Sequence, residues 1–163
     1  MKKALIAVAL TTVACGSGAG GIGAVSCAVP GRTASPAAGS PVPPSIVDPY
    51  LKIQTALAQD RVDDVRTSAG EIASAATALG EPATKMNSAA AQLASAGVIA
   101  DAREKFGTLT EALVTYMDEQ QLKAPDGVRK AYCPMARKSW LQKGDTLANP
   151  YYGTSMPTCG EFK

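Results

Sequence analysis

The sequence predicts an all-α fold: an antiparallel four-helix bundle with an irregular, partly β C-terminal segment packed against it. Three observations lead there. The chain has 163 residues and is 46% apolar, enough for one domain with a core of its own. Aromatic residues are scarce, at 5%, while alanine is abundant, and that composition favours helices approaching closely through small side chains over a β-sandwich. Four successive stretches between Ser45 and Lys123 carry apolar residues at helical spacing. Joined by short turns, they bury those stripes most simply as an antiparallel bundle.

The first helix is expected from "VDPYLKIQTALAQD", with Asp48 as N-cap and Pro49 at the first helical position, where a missing N–H costs nothing. It runs to about Gln59. In the second, Val62, Val65, Ala69, Ile72, Ala76 and Leu79 alternate in steps of three and four and stop at Gly80, a residue suited to the helix C-terminus. Pro82 opens a third helix, in which Met86, Ala90 and Leu93 share a face up to about Gly97. The fourth is the longest, repeating the spacing through Ile99, Ala102, Phe106, Leu109, Leu113 and Tyr116 up to about Lys123. Met86 and Met117 fall on apolar stripes and read as core filler. Asp63, Asp64 and Glu71 diverge around their helix and read as a solvated face.

Upstream of Ser45 the texture differs. "MKKALIAVALTTVACGSG" has two lysines, an apolar run from Ala4 to Leu10 that continues to Ala14, and then cysteine and glycine. The run is about half of the roughly 20 residues that span a bilayer, so residues 1–14 read as a secretory signal. "TVAC" resembles the lipobox of bacterial lipoproteins and makes Cys15 the expected lipidation site. Cys27, ending "AVSC", is the alternative, and cleaved secretion without lipid is the third possibility. Residues 15–44 are rich in Pro, Ala, Gly and Ser and read as a low-complexity tether, followed by a domain from 45 to 163. Gly16, Gly18 and Gly21 fit G-x-G-x-x-G, but the strand, helix and acidic residue which that motif needs are missing. The formal charge of +2 equals that of Lys2 and Lys3, so the remainder is neutral, and with no basic stripe the sequence excludes nucleic acid as a partner. The expected location is the bacterial cell envelope, periplasmic or tethered at the outer membrane, with membrane contact only through the lipid anchor, or secreted if no lipid is attached.

After the turn signal "APDG" the chain concentrates its only tryptophan, three of its five tyrosines, two cysteines and two methionines. "VRKAYC" is the best strand candidate there. If the backbone is extended at Cys133 and Met135, their two-residue spacing places both sulfurs on one side, with Pro134 restricting the chain between them. Met156 and Cys159, three apart around Pro157, share a face if they form a helical turn. A Cys₂Met₂ set of Cys133, Met135, Met156 and Cys159 suits a soft monovalent ion such as Cu(I), whereas zinc recruits histidine or more cysteine and calcium recruits oxygen. The chain contains no histidine.

"YCPMA", then Trp140, then "NPYYGTSMPTCGE" resembles the C-terminal signature of the DUF3347 family, found in small bacterial envelope proteins and appended to periplasmic adaptors of heavy-metal efflux systems. The likeness runs from about residue 48 to 163 and is closest in the C-terminal segment, at Cys133, Met135, Trp140, Asn149, Pro150, Tyr151, Tyr152, Gly153, Met156, Cys159 and Gly160. It implies copper or silver handling outside the cytoplasm, with efflux components as partners. The adaptor's hairpin, lipoyl and barrel domains have no counterpart here, so a stand-alone tethered binder is implied.

Other readings of the same residues stay open. A Cys133–Cys159 disulfide would close a loop of roughly 25 residues and stabilise by about 3 kcal/mol, and the two cysteines could also be free structural thiols. Two thiolates around one Cu⁺ leave a net negative charge that needs hydrogen bonds or a cation such as Arg137 or Lys138, unless those cations are simply solvated. Trp140 either caps an ion with its ring face or anchors a loop to the core. Asn149, Tyr151, Tyr152 and Gly153 shape a supporting turn. The sequence therefore predicts an envelope protein that binds Cu(I) or Ag(I), with a non-metal interaction module stapled by the Cys133–Cys159 disulfide as the alternative. An enzyme is not expected, because a nucleophilic cysteine needs an activating base and a thiol oxidoreductase needs C-x-x-C.

Overall fold

The computed structural model describes residues 36–163. The expected signal, Cys15, Cys27 and the G-x-G-x-x-G stretch lie outside the described residues.

Four helices precede three strands: α1 spans Pro44–Ala58, α2 Asp63–Leu79, α3 Thr84–Ala94 and α4 Ile99–Glu119, followed by β1 at Val128–Cys133, β2 at Lys138–Lys143 and β3 at Glu161–Phe162. The strands form one antiparallel sheet in the order β2-β1-β3. The all-α class is thereby overturned, because a three-stranded sheet joins a helical-bundle-like body. β2 escaped the sequence pattern because Trp140, Leu141 and Gln142 are all buried in succession. A strand covered on both faces shows no alternation.

Helix boundaries also shift. α1 starts at Pro44 instead of Pro49, which lies inside the helix. Both prolines satisfy the first-turn rule, but Ile46 and Val47 are buried with Tyr50 and Ile53, so the apolar stripe carries the helix upstream. The carbonyl that loses its donor at Pro49 belongs to Ser45, an exposed residue. Pro82 lies in a short 3₁₀ turn, Glu81–Ala83, and α3 follows it, ending at Ala94 before Gly97. α4 stops at Glu119, short of Lys123, and Gln121 turns the chain at φ 54°. Lys123 then donates its N–H to Ser40 O at 2.9 Å and accepts from Val42 N–H at 3.0 Å, forming a parallel bridge with Pro41. The expected tether of 15–44 is therefore too long at its C-terminal end, since residues 39–42 belong to the folded body and Val42 is buried.

The core joins Ile53 and Leu57 of α1, Val65 and Ile72 of α2, Met86 and Leu93 of α3, and Phe106, Leu109 and Leu113 of α4. Met86 is fully buried, and Met117 packs partly buried against the same cluster. Asp63, Asp64 and Glu71 are exposed. α2 packs against α1 and α3, and α3 against α4, whereas α1 and α4 barely meet and β2 lies against both. The sheet thus closes the side of the body that a four-helix bundle would close by itself.

Tyr50 forms that junction. It stacks on Phe106 with ring centroids 5.1 Å apart and accepts the Leu141 N–H at 3.1 Å. Its hydroxyl lies 2.8 Å from Thr110 Oγ1, and the Thr110 hydroxyl donates to Phe106 O at 3.0 Å. With the Thr110 proton so engaged, Tyr50 is the donor to Thr110, and a single directed chain crosses the core. Burial pushes the Tyr50 hydroxyl far above its ordinary range, so it remains a neutral donor. On the same outer edge of β2, the Tyr151 hydroxyl donates to Ser139 O at 2.6 Å. Ser139 and Leu141 are two residues apart, so these tyrosines satisfy successive outward groups of an edge strand.

Replacing Tyr50 by Phe should leave the buried Leu141 N–H without an acceptor and destabilise by about 1–3 kcal/mol. Chemical denaturation measures it, and a change within error would remove Tyr50 from the junction.

Candidate metal centre

β1 ends on Cys133, which pairs with Lys138 at the start of β2. Residues 134–137 make the hairpin turn, with Arg137 at φ 54°. Cys133 is 0% exposed, on the same face of β1 as buried Ala131. Its sulfur accepts the Ala136 N–H at 3.4 Å, as a short polar side chain does when it closes a turn. Met135 lies in the turn and is 62% exposed. The extended Cys133–Met135 backbone expected from the sequence is therefore not formed, because the strand ladder stops at Pro134.

Cys159 arrives from the opposite end of the segment. Asn149 donates its backbone N–H to Pro157 O at 2.8 Å and accepts from Gly153 N–H at 3.0 Å, and Cys159 N–H donates to Met156 O at 3.3 Å. The last bond makes Met156–Cys159 a β-turn with Pro157 at its second position, which suits proline's fixed φ. This replaces the expected helical turn. Met156 is half-buried at the opening of that turn. Gly160 follows at φ 142°, where a Cβ would lie 2.8 Å from Trp140 Cη2 and 2.9 Å from Tyr132 O. Only glycine lets the chain after Cys159 lie on the tryptophan.

The two turns bring Cys133 Sγ and Cys159 Sγ to 3.0 Å, and both are free thiols. Burial pushes the Cys133 thiol up, but hydrogen bonds from the Cys159 thiol, the Ala136 N–H, the Asn149 side chain and the Met135 N–H outweigh it, and the net shift is downward. Cys159 moves upward because it donates to Cys133, with burial and the Cys133 charge adding to the effect. Of the two, Cys133 is thus the one that gives up its proton more readily.

This geometry lies between two chemical outcomes. A disulfide needs the sulfurs at about 2.05 Å. Two thiolates sharing an ion through bonds of about 2.3 Å at a tetrahedral angle lie about 3.8 Å apart. Either state requires a movement of about 1 Å or less. A negative charge on Cys133 would be met by the Ala136 N–H. Lys138 is engaged elsewhere, 2.5 Å from Glu104 and over the Tyr151 ring at 5.6 Å, and Arg137 is exposed. Among the described residues no three His, Cys, Asp or Glu side chains form a metal-binding group, so further protein side-chain donors of the soft class would be thioethers.

Trp140 is 0% exposed, donates Nε1–H to Gln142 Oε1 at 2.9 Å and meets Tyr151 edge-on at 6.1 Å. It anchors the segment. Asn149, also 0% exposed, donates Nδ2–H to Cys159 O at 2.6 Å, while its Oδ1 accepts from Tyr151 N–H at 2.8 Å and Tyr152 N–H at 3.3 Å. The sequence pointed to Asn149 only as a turn residue.

Two further supports carried no signal in the sequence. Asp60, just after α1 and at φ 56°, accepts the Thr154 N–H at 3.0 Å, the Thr154 hydroxyl and the Arg103 guanidinium. Arg103 also donates to Pro150 O at 2.9 Å and Leu57 O at 3.2 Å. Gly153, at φ 54°, sits beneath this pair, and a Cβ there would overlap the Asp60 carboxylate and the Arg103 guanidinium. Gln54 of α1 donates to Ala148 O at 2.6 Å. The "NPYYG" loop is thus held by groups from α1, the α1–α2 turn and α4.

No family model, curated protein or solved structure matches the chain. The DUF3347 likeness is therefore a resemblance of residues, and the functional argument rests on the geometry of the sulfur pair.

Hydrogen bonds from the Thr154 hydroxyl and N–H, then from Arg103, lower the Asp60 carboxyl to about 2. Because that lies below the ordinary carboxylate value near 4, the stabilisation from Asp60 is complete above about pH 4 and is lost as pH falls through about 2. Acid titration followed by near-UV circular dichroism should show this limb in the parent protein and a weakened one in Asp60→Asn. Identical acid limbs would mean that Asp60 does not secure the loop.

Proposed function

We propose that the chain is a bacterial cell-envelope protein that binds Cu(I) or Ag(I) as cargo through Cys133 and Cys159 and serves copper or heavy-metal homeostasis. The observation that carries this is the 3.0 Å approach of two thiols 26 residues apart, one of them already favoured as thiolate by surrounding donors. Thiolates with thioethers select soft monovalent ions over zinc or calcium. Met156, half-buried at the opening of the turn that Cys159 closes, is the thioether on the Cys159 side. Met135, exposed at the hairpin tip, is the group an incoming ion meets first. Because Cys133 is buried and Cys159 half-buried, the ion is held at the rim, where release to a second protein remains feasible. The DUF3347 resemblance agrees with this reading and suggests an efflux component as the recipient. The envelope location rests on residues 1–27 of the sequence. Among the described residues no helix is long and apolar enough to cross a membrane.

Full-length protein with Cys15 and Cys27 replaced by serine isolates the pair. Under anaerobic conditions the reduced form should take one equivalent of Cu(I) from a chromophoric chelator. Cys133→Ser should abolish tight uptake, and Met156→Leu should weaken it roughly tenfold, about 1.4 kcal/mol. Failure of the reduced protein to compete for copper would end this reading.

A further inference from the structure

The two sulfurs differ in a way that shared ligation does not use. Cys133 is 0% exposed, placed behind the hairpin turn with its sulfur under the Ala136 N–H. Cys159 is half-buried, at the end of the Met156–Cys159 turn. A reagent from solution therefore reaches one sulfur first, while the other waits 3.0 Å behind it.

We propose that this pair is an ordered thiol–disulfide site for low-molecular-weight disulfides, in which Cys159 reacts first, Cys133 resolves, and the resulting Cys133–Cys159 bond switches off metal binding. Only the last clause rests on the metal-binding reading above. The bond closes within the folded protein, since the sulfurs need to approach by about 1 Å to reach disulfide distance.

Once one of the two thiol protons has left to solvent, the chemistry balances. Cys159 attacks one sulfur of the external disulfide while its proton passes along the S–H···S contact to Cys133. The reagent's S–S bond breaks, leaving one half on Cys159 and releasing the other as a thiolate. That thiolate takes the proton from Cys133, and the freed Cys133 thiolate attacks the Cys159 sulfur and expels the second half. Two cysteine sulfurs are oxidised by two electrons in total, and one small disulfide is reduced to a thiol and a thiolate, the latter protonated by water. Excess small thiol reverses both steps. In the oxidised protein neither cysteine can act as a thiolate ligand, so only neutral thioethers remain for a soft ion.

The test uses the full chain with Cys15 and Cys27 replaced by serine, reduced and then exposed to oxidised glutathione, with intact mass followed over time. The otherwise unmodified pair should lose two hydrogens without accumulating an adduct. Cys133→Ser should stall with one glutathione on Cys159, and Cys159→Ser should acquire an adduct at least tenfold more slowly. Comparable adduct rates in the two variants, or a stable adduct on the intact pair, would overturn the proposal. Should either serine variant fail to fold, peptide mapping of the intact pair quenched early decides instead: the adduct must lie on the Cys159 peptide, and one lying first on the Cys133 peptide refutes the order. Copper uptake measured separately on both forms tests the switch. Uptake by the reduced form alone supports it, and equal uptake by both forms refutes it. If neither form binds, the metal reading falls while the order of thiol reaction still stands or falls on the mass data.

Discussion

The Asn149 carboxamide is wholly buried, and each of its polar atoms engages the C-terminal segment. Its Nδ2 holds the Cys159 carbonyl, its Oδ1 gathers the Tyr151 and Tyr152 N–H groups, and the side chain helps to hold the Cys133 thiol down. A buried amide is tolerated only when its partners are present. Here those partners belong to the two stretches that carry the thiols, so satisfying the amide and juxtaposing the sulfurs become one structural requirement. An apolar residue of similar size could fill the space, but it would not fix the register between the strand ending at Cys133 and the turn ending at Cys159.

That joint is reliable because its surroundings are rigid. Asp60 and Arg103 grip the loop from the helical side at Pro150 and Thr154, Gln54 grips Ala148, and Gln142 accepts the Ala148 N–H at 3.0 Å while donating to Thr146 O at 2.7 Å. On the other side Trp140 and Gly160 pack in direct contact. The helices thus serve the sulfur pair by supplying fixed points. A short C-terminal peptide carrying the same cysteines would lack the groups that define their separation. Supporting contacts of this kind are what usually hold a ligand set in place.

The parts of this arrangement legible in the sequence are those encoded locally. The α2 and α4 stripes could be read because Val65, Ala69, Ile72 and Ala76, or Phe106, Leu109 and Leu113, repeat within a few residues, and "VRKAYC" announced β1. Where two nearby residues satisfied the same rule, as Pro44 and Pro49 do, tertiary burial of Ile46 and Val47 decided. β2 was illegible because Trp140, Leu141 and Gln142 are covered on both faces. The importance of Cys133 and Cys159 was visible from their chemistry, but the position of Met135 depended on a turn geometry that alternation could not anticipate. Asp60 and Arg103 were unreadable for a simpler reason: their partners lie 94 and 47 residues away, and each alone resembles any surface charge.

The tyrosine hydroxyls at Ser139 O and Leu141 N–H have a consequence for how many copies of the protein can share a small space. They roof the outer rim of β2, and the opposite rim is β3, only two residues long. Two outward peptide groups of the first rim are thereby taken and the second rim is short, which shortens the run on which a neighbouring chain could add a strand. A sheet whose rims are so covered lets collisions between copies end in separation instead of fibrous growth.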